Sequence, residues 1–137
     1  MKNKSDILSS HLIVWEKALK TFSDVMRMPE TEIVRDAAIQ RFEYNFELAW
    51  KAIKRFAEKQ GLNCNSPRDA VKMAFKLGLI QNEDVWLDML DDRNRTTHTY
   101  RQEIAEEIYA NLKKYESEMK ILFERMSEGR ECGNAKV

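Results

Sequence analysis

The chain has 137 residues and a mass of 16.2 kDa, which is the size of one ordinary domain. Hydrophobic residues make up 43% and charged residues 34%, a balance that excludes a disordered chain and a membrane-spanning one. Lysine plus arginine equals aspartate plus glutamate, 23 against 23, so a globally basic nucleic-acid binder is excluded as well. No hydrophobic signal region follows the first residues, and we therefore expect a cytoplasmic protein that does not bind membranes.

The first predicted helix follows an N-cap at Ser5 or Asp6 and ends near Met28. Its apolar residues run from Leu8 to Met26 and recur after four and three residues in turn. This spacing is typical of a helix that packs along one seam in a bundle.

The second predicted helix covers residues 31–60. One apolar stripe runs from Ile39 to Phe56, and another runs from Tyr44 to Ala52. A helix with apolar residues around so much of its circumference is the central helix of a bundle, or it faces a partner as well.

Three more helices are predicted over residues 66–78, 83–94 and 102–127. The first of them starts with Ser66 as its N-cap, followed by a proline at the first helical position. Each of the three carries apolar residues at helical spacing, so each can bury one face against a neighbour.

The predicted fold class is all-α, an up-and-down four-helix bundle with one or two short extra helices between its halves. Residues 1–127 are expected to form this single helical domain. Residues 128–137 have no apolar periodicity, and we expect them to form a frayed C-terminal tail.

Two histidines and two cysteines are too few for a disulfide framework or a typical zinc site. Asp84, Asp88 and Asp91 are spaced so that they could hold Mg²⁺, but a solvated acidic helix face is the favoured interpretation. We therefore expect no metal and no cofactor.

Residues 91–101 crowd three arginines, one histidine and one tyrosine between two predicted helices. Arg93 continues the inward apolar stripe of its helix, so its guanidinium is expected to pair with a carboxylate or to await an anion. In a continuous helix Arg93 and His98 would lie about 140° apart around the axis. They converge only if the helix breaks or if two subunits share the site, and the threonine-rich stretch after Arg93 favours a break.

This group of side chains is suited to metal-independent cleavage of RNA. An imidazole such as His98 can exchange protons near neutral pH with a 2′-hydroxyl or a leaving oxygen. A guanidinium such as that of Arg93 can stabilise the negative charge of a phosphorane, and Asn94 can orient either the ribose or the histidine. From the residues alone, a helix cap with an ion pair is the more common explanation of such a cluster.

Several segments resemble a known family. The residues Arg-Asn-x-x-x-His-x-Tyr at 93–100 match the R-x4-H-x-Y motif of HepT-type toxins in the HEPN superfamily. Residues 40–51 are similar to the second-helix signature of the nucleotidyltransferase substrate-binding protein branch of that group. Shorter similarities occur at residues 66–68, 78–80 and 86–89, so that the resemblance extends over residues 8–122.

The resemblance implies an all-α homodimer encoded beside an MntA-like minimal nucleotidyltransferase, the two forming a toxin–antitoxin pair. It assigns catalysis to Arg93 and His98 at a composite site in the dimer cleft, where Arg93 binds the scissile phosphate of an RNA substrate and His98 performs acid–base catalysis. Asn94 would be a supporting polar residue, and Tyr100 would accept AMP from the nucleotidyltransferase, which blocks the cleft. The alternative, implied by the older family name, is a non-catalytic subunit that presents substrate to the nucleotidyltransferase.

The sequence also predicts the surroundings of five further residues. Arg41 and Glu43 of the second helix either line the cleft or form an internal pair, and Arg95 would add basic charge to the cleft. His11 is expected at the surface of the first helix. Cys64 is expected in a polar loop without a neighbour that would activate its thiol.

Overall fold

The computed structural model describes the backbone of residues 3–135 and the side chains of residues 3–128. In this part of the chain five α-helices follow one another without a β-strand, and a short 3-10 turn precedes the last helix. The elements are α1 (Lys4–Met26), α2 (Glu32–Lys59), α3 (Pro67–Lys76), α4 (Glu83–Arg95), the 3-10 turn (Thr96–His98) and α5 (Gln102–Ala135). The predicted all-α bundle is confirmed, with α1, α2, α4 and α5 as its four helices and α3 as the short extra one.

None of the described helices is both long enough and apolar enough to cross a membrane.

Side-chain caps fix where the helices begin. Asn3 caps α1 and accepts a hydrogen bond from the amide of Asp6 at 2.9 Å, so the predicted caps, Ser5 and Asp6, lie inside the helix. Ser66 caps α3 as predicted and accepts a hydrogen bond from the amide of Asp69 at 3.1 Å. Each cap satisfies an amide that the first turn of a helix leaves without a backbone partner.

The last helix is longer than predicted, because α5 continues to Ala135 instead of ending near Ser127. The predicted end relied on apolar periodicity, which reports packing and not the extent of the helical backbone. The side chains of residues 129–137 lie outside the described part of the chain. The division into a domain of residues 1–127 and a frayed tail of residues 128–137 therefore stays a prediction.

The core is built around α2, which contacts each of the other described helices and the 3-10 turn. Phe42 of α2 stacks on Tyr115 of α5 with ring centroids 5.3 Å apart, and Phe46 lies 6.5 Å from Trp86 of α4. All four rings are fully buried. The prediction that the second helix is the central one is thus confirmed, while Tyr44 of the same helix remains 38% exposed.

The surroundings of His11 and Cys64 differ from those expected. His11 is half-buried, and its Nε2 lies 2.8 Å from the carbonyl oxygen of Leu48, so the ring joins α1 to α2. Cys64 lies in the loop before α3 but is fully buried, and burial raises the pKa of its thiol, which opposes formation of a reactive thiolate. Both side chains are covered by segments distant in sequence, which local patterns do not reveal.

A buried carboxylate, that of Asp92, joins the end of α4 to α5. It accepts hydrogen bonds from Tyr115 Oη at 2.6 Å, from Asn111 Nδ2 at 3.1 Å and from the guanidinium of Arg95 at 3.2 Å. These three donors replace the water that the carboxylate loses on burial. Burial, and then the bond to Asp92, raises the pKa of Tyr115.

Replacing Tyr115 with phenylalanine is expected to lower the free energy of unfolding by about 1–3 kcal/mol at neutral pH, because Asp92 loses one of its three donors. The native hydroxyl keeps its proton to a higher pH than the unfolded one. Its contribution is therefore complete below about pH 10 and is lost as the pH rises above that value. Urea unfolding at neutral and alkaline pH measures both effects.

Tyr109→Phe is the matched control, because Tyr109 is half-buried in the same helix and its hydroxyl makes no hydrogen bond to the described residues. A stability difference between Tyr115→Phe and the unaltered protein that stays constant into the alkaline range would contradict the role assigned to Tyr115.

Candidate functional site

A groove with a volume of about 560 Å³ opens to solvent between α2 and the junction of α4 with the 3-10 turn. Its walls come from the two segments whose sequences resemble the HepT-type pattern, residues 40–51 and residues 93–100. The lining residues are Gln40, Glu43, Tyr44, Glu47, Arg93, Asn94, Thr96 and Thr97.

Arg93 is held in this groove by Glu47. One terminal nitrogen of its guanidinium donates to Oε1 of Glu47, and the other donates to Oδ1 of Asn94 at 3.1 Å. Glu47 is itself fixed by Trp50, whose Nε1 donates to Oε2 at 3.1 Å. The side chains of Arg93 and Glu47 are only 29% and 30% exposed, so solvent screens their attraction less than it would at the open surface. Of the two arrangements expected for Arg93, the structure has the carboxylate pair.

The predicted helix break follows Arg93 closely, since α4 ends at Arg95. The hydroxyl of Thr96 lies 2.5 Å from Oε2 of Glu43 and 2.8 Å from the carbonyl oxygen of Arg93, and it shares its proton between them. The hydroxyl of Thr99 donates in turn to the carbonyl oxygen of Thr96 at 3.1 Å. Threonine side chains thus satisfy acceptors at the point where the helical ladder stops. Glu43 both lines the groove and anchors the break.

Four candidate residues from the sequence do not line the groove in the described structure, namely Arg41, Arg95, His98 and Tyr100. His98 and Tyr100 are exposed on the adjacent turn, with ring centroids 6.1 Å apart. Arg41 points toward α1 and donates to the carbonyl oxygen of Thr21 at 2.7 Å. Arg95 is paired with carboxylates of α4 and α5. One chain therefore brings Arg93 together with Asn94 and Glu43, but not with His98.

The charge of the groove differs from the expected excess of basic residues. It contains two carboxylates, Glu43 and Glu47, and one cation, Arg93. Arg101, another cation of residues 91–101 (the motif segment), is paired with Glu103 at 2.8 Å at the surface. A run of arginines in sequence does not place them in one cleft, because successive residues of a helix or tight turn point in different directions.

Glu47 is the residue of this site that sequence reasoning missed. The spacing of Glu47 from Glu43 could have indicated its role, because residues four apart lie on the same face of a helix. Two carboxylates on one face of a largely apolar helix need partners. The identity of those partners, Arg93 and Thr96, depends on how α4 packs against α2 and is not encoded locally.

No group of three His, Cys, Asp or Glu side chains in the described part of the chain is arranged so that it could hold a metal ion. Asp84, Asp88 and Asp91 are exposed along α4 and form the solvated acidic face that the spacing indicated.

A double-mutant cycle is expected to measure the contact between Glu47 and Arg93. Glu47→Gln and Arg93→Gln should show a coupling free energy of about 1 kcal/mol in urea unfolding, because the pair is half-buried and its geometry is fixed by Trp50. The exposed pair Arg101–Glu103 is the control, with an expected coupling near zero. Equal coupling in the two pairs would contradict the role assigned to Glu47.

The chain is similar to known proteins over most of its length. The family described as nucleotidyltransferase substrate-binding protein-like matches residues 10–128. A Haemophilus influenzae protein named probable ribonuclease HepT is 32% identical over 108 residues, which cover 72% of this chain and 74% of that protein.

Solved structures with a similar fold agree with this family match. A crystal structure of a Thermus thermophilus protein superposes with a TM-score of 0.77 at 38% identity, covering 81% of this chain and 97% of that one. A Haemophilus influenzae structure, described as revealing the fold of a substrate-binding domain of a nucleotidyltransferase, superposes with a TM-score of 0.66 at 28% identity, covering 90% and 98%. With its central α2, its groove and these similarities, the chain belongs to the nucleotidyltransferase substrate-binding protein family, which includes relatives of the HepT type.

Proposed function

We propose that this protein is a metal-independent endoribonuclease toxin of the HepT type, and that an MntA-like minimal nucleotidyltransferase restrains it by attaching AMP to Tyr100. The observation that carries the proposal is the presentation of Arg93 in a solvent-open groove, one turn away from an exposed histidine. The similarity to a probable ribonuclease HepT supports it.

The proposed reaction is a transesterification within the RNA strand. The 2′-hydroxyl oxygen forms a bond to the adjacent phosphorus while the bond from phosphorus to the 5′-oxygen breaks. The products are a 2′,3′-cyclic phosphate and a 5′-hydroxyl end. His98 accepts the proton of the 2′-hydroxyl or donates one to the leaving oxygen, and Arg93 binds the phosphate and stabilises its added charge. Asn94, already bonded to Arg93, keeps the guanidinium oriented.

A second copy of the chain completes this site in our proposal. Within one chain Arg93 lies in the groove and His98 lies outside it, so base, acid and phosphate-binding group converge only when two motif segments face each other across a two-fold axis. Exposed apolar residues support association, since Ile13 and Val14 of α1 are 55% and 54% exposed.

The exposure of Tyr100 supports its proposed role as the acceptor of AMP. Its side chain is 79% exposed, and its hydroxyl makes no hydrogen bond to the described residues. In the proposed transfer, Tyr100 Oη forms a bond to the α-phosphorus of ATP, the bond to the β-phosphate oxygen breaks, pyrophosphate leaves, and the phenolic proton passes to a base or to solvent. The nucleotide is thereby attached beside His98, whose ring already contacts Tyr100.

A non-catalytic subunit that presents substrate to a nucleotidyltransferase is the second candidate. The description of the Haemophilus influenzae structure favours it. The charge of the groove also favours it, because Glu43 and Glu47 outnumber Arg93 and oppose the approach of a polyanion.

The purified protein is expected to cleave RNA in excess EDTA and to leave 2′,3′-cyclic phosphate ends. His98→Ala should reduce the rate by about 10²-fold or more, the usual contribution of general acid–base catalysis. Arg93→Ala should reduce it as well, because the phosphorane loses its counter-charge. His11→Gln is the matched control, since His11 lines a different pocket and not the groove that holds Arg93, and its loss should leave the rate unchanged.

The intact mass of each preparation must match the unmodified sequence, because AMP on Tyr100 would silence an active enzyme. The nuclease proposal is wrong if the unmodified protein does not cleave RNA, or if it cleaves RNA equally with and without His98. The second candidate then leads if the chain still forms a complex with a nucleotidyltransferase.

Light scattering is expected to give twice the 16.2 kDa mass of one chain. High salt should not change this mass, because an apolar interface is not screened in the way that ion pairs are. A mass of one chain at all concentrations would contradict the composite site.

A further inference from the structure

A second pocket is lined by the first turns of α2, N-terminal to the α2 residues that line the Arg93 groove. It has a volume of about 230 Å³ and is formed where the first turns of α2 and α5 meet the end of the 3-10 turn. Among its lining residues are Glu32, Arg35, Asp36, Thr99, Tyr100 and Gln102. Tyr100 therefore borders this pocket and not the groove that holds Arg93.

Arg35 is an incompletely satisfied cation in the wall of this pocket. Its side chain is only 12% exposed, and its one acceptor among the described residues is Oε2 of Glu30, at 3.4 Å. Its Nε is buried and has no hydrogen-bond partner in the described structure. A guanidinium has five N–H donors, and donors without acceptors cost free energy when they are withdrawn from water. An anionic oxygen in the pocket would accept hydrogen bonds from the terminal N–H groups of Arg35 that Glu30 leaves open.

The two carboxylates of the pocket restrict which anion fits. Glu32 and Asp36 are four residues apart on α2, so they lie on one face of the helix, and both are exposed. Two carboxylates beside one guanidinium leave the pocket with an excess of negative charge, which opposes a doubly charged phosphate more strongly than a singly charged phosphodiester. Carboxylates also accept hydrogen bonds from ribose hydroxyls, as the acidic residue of dinucleotide-binding folds does. Phosphodiester and ribose occur side by side in a nucleoside monophosphate ester.

We propose that this pocket holds the phosphoribosyl part of an AMP group esterified to Tyr100, with Arg35 binding the phosphodiester and Glu32 and Asp36 binding the ribose hydroxyls. This inference rests on the proposed modification of Tyr100. The pocket is smaller than the roughly 300 Å³ at which ordinary small-molecule sites begin, so the adenine remains outside it. The nucleotide is thus bound by the chain that carries it, next to His98, and does not fill the Arg93 groove of that chain.

The modified protein gives the direct test. The chain is treated with a family nucleotidyltransferase and ATP, and intact mass is used to select material with one AMP. Release of AMP by a phosphodiesterase is then compared among variants. Arg35→Gln should accelerate release roughly tenfold or more, because it removes a charge-assisted hydrogen bond to the ester. Arg55→Gln is the matched control, since Arg55 is a half-buried arginine of the same helix, is paired with Glu58 and lies outside this pocket.

The unmodified protein tests the pocket without the transfer. The methyl ester of AMP is the probe, because it carries the single charge of a phosphodiester. It should shift the backbone amide resonances of Gln102 and Ala105 in the unaltered chain. Arg35→Gln should abolish these shifts, adenosine should not produce them, and the 2′,3′-dideoxy analogue should produce weaker ones. If Arg35→Gln does not fold, as its amide spectrum would reveal, Glu32→Gln with Asp36→Asn replaces it and should weaken the probe at least severalfold.

The outcomes separate the two proposals. Arg35-dependent binding of the probe by a chain that never acquires AMP shows that the pocket takes a phosphodiester, but it refutes the modification of Tyr100 and with it the proposed occupant. If Tyr100 is modified but the release rates and the probe shifts do not depend on Arg35, the proposed role of the pocket is wrong and the modification stands. Absence of probe shifts in the unaltered chain also overturns the pocket.

Discussion

The geometry of the site depends on the carboxylate of Asp92, which fixes the place where α4 stops. Three donors from α4 and α5 hold this buried carboxylate, and Glu43 holds the hydroxyl of Thr96 on the other side of the break. Burial of a carboxylate is tolerated only when its acceptor sites are filled, so the position of the break is strongly specified. The break divides the motif between two surfaces. Arg93 faces the groove, whereas Tyr100 borders a separate pocket.

Sequence reasoning succeeded where one local pattern determines the structure. The helices, the central position of α2 and the break after Arg93 follow from apolar periodicity and from the low helix propensity of threonine, and all three are found. Reasoning failed where the outcome depends on contacts between distant segments. Cys64 has polar neighbours in sequence yet is fully buried, and His11 of α1 contacts the carbonyl oxygen of Leu48 in α2.

The candidate site shows the same limit at the level of single side chains. The inward position of Arg93 predicted a carboxylate partner, but the choice of Glu47 depends on how α2 and α4 pack together. The count of arginines near the motif also overestimated the basic charge of the groove. Arg41 and Arg95 each reach an acceptor closer to their own helix face, and a guanidinium that is already paired contributes little to the potential of a cleft on the other side.

The pairing of Arg93 with Glu47 sets what the proposed nuclease requires. A phosphate of the RNA must compete with Glu47 for the guanidinium of Arg93. The free energy gained on RNA binding is therefore only the difference between two charge-assisted contacts, and one arginine supplies little affinity. A second subunit would bring another Arg93 and His98, but by the same symmetry another Glu43 and Glu47 as well, so the proposed nuclease needs it for geometry and not for charge. The same reasoning applies to inhibition. If Tyr100 carries AMP as proposed and Arg35 offsets the charge of the phosphodiester, the attached nucleotide would inhibit by covering His98 and not by repelling RNA.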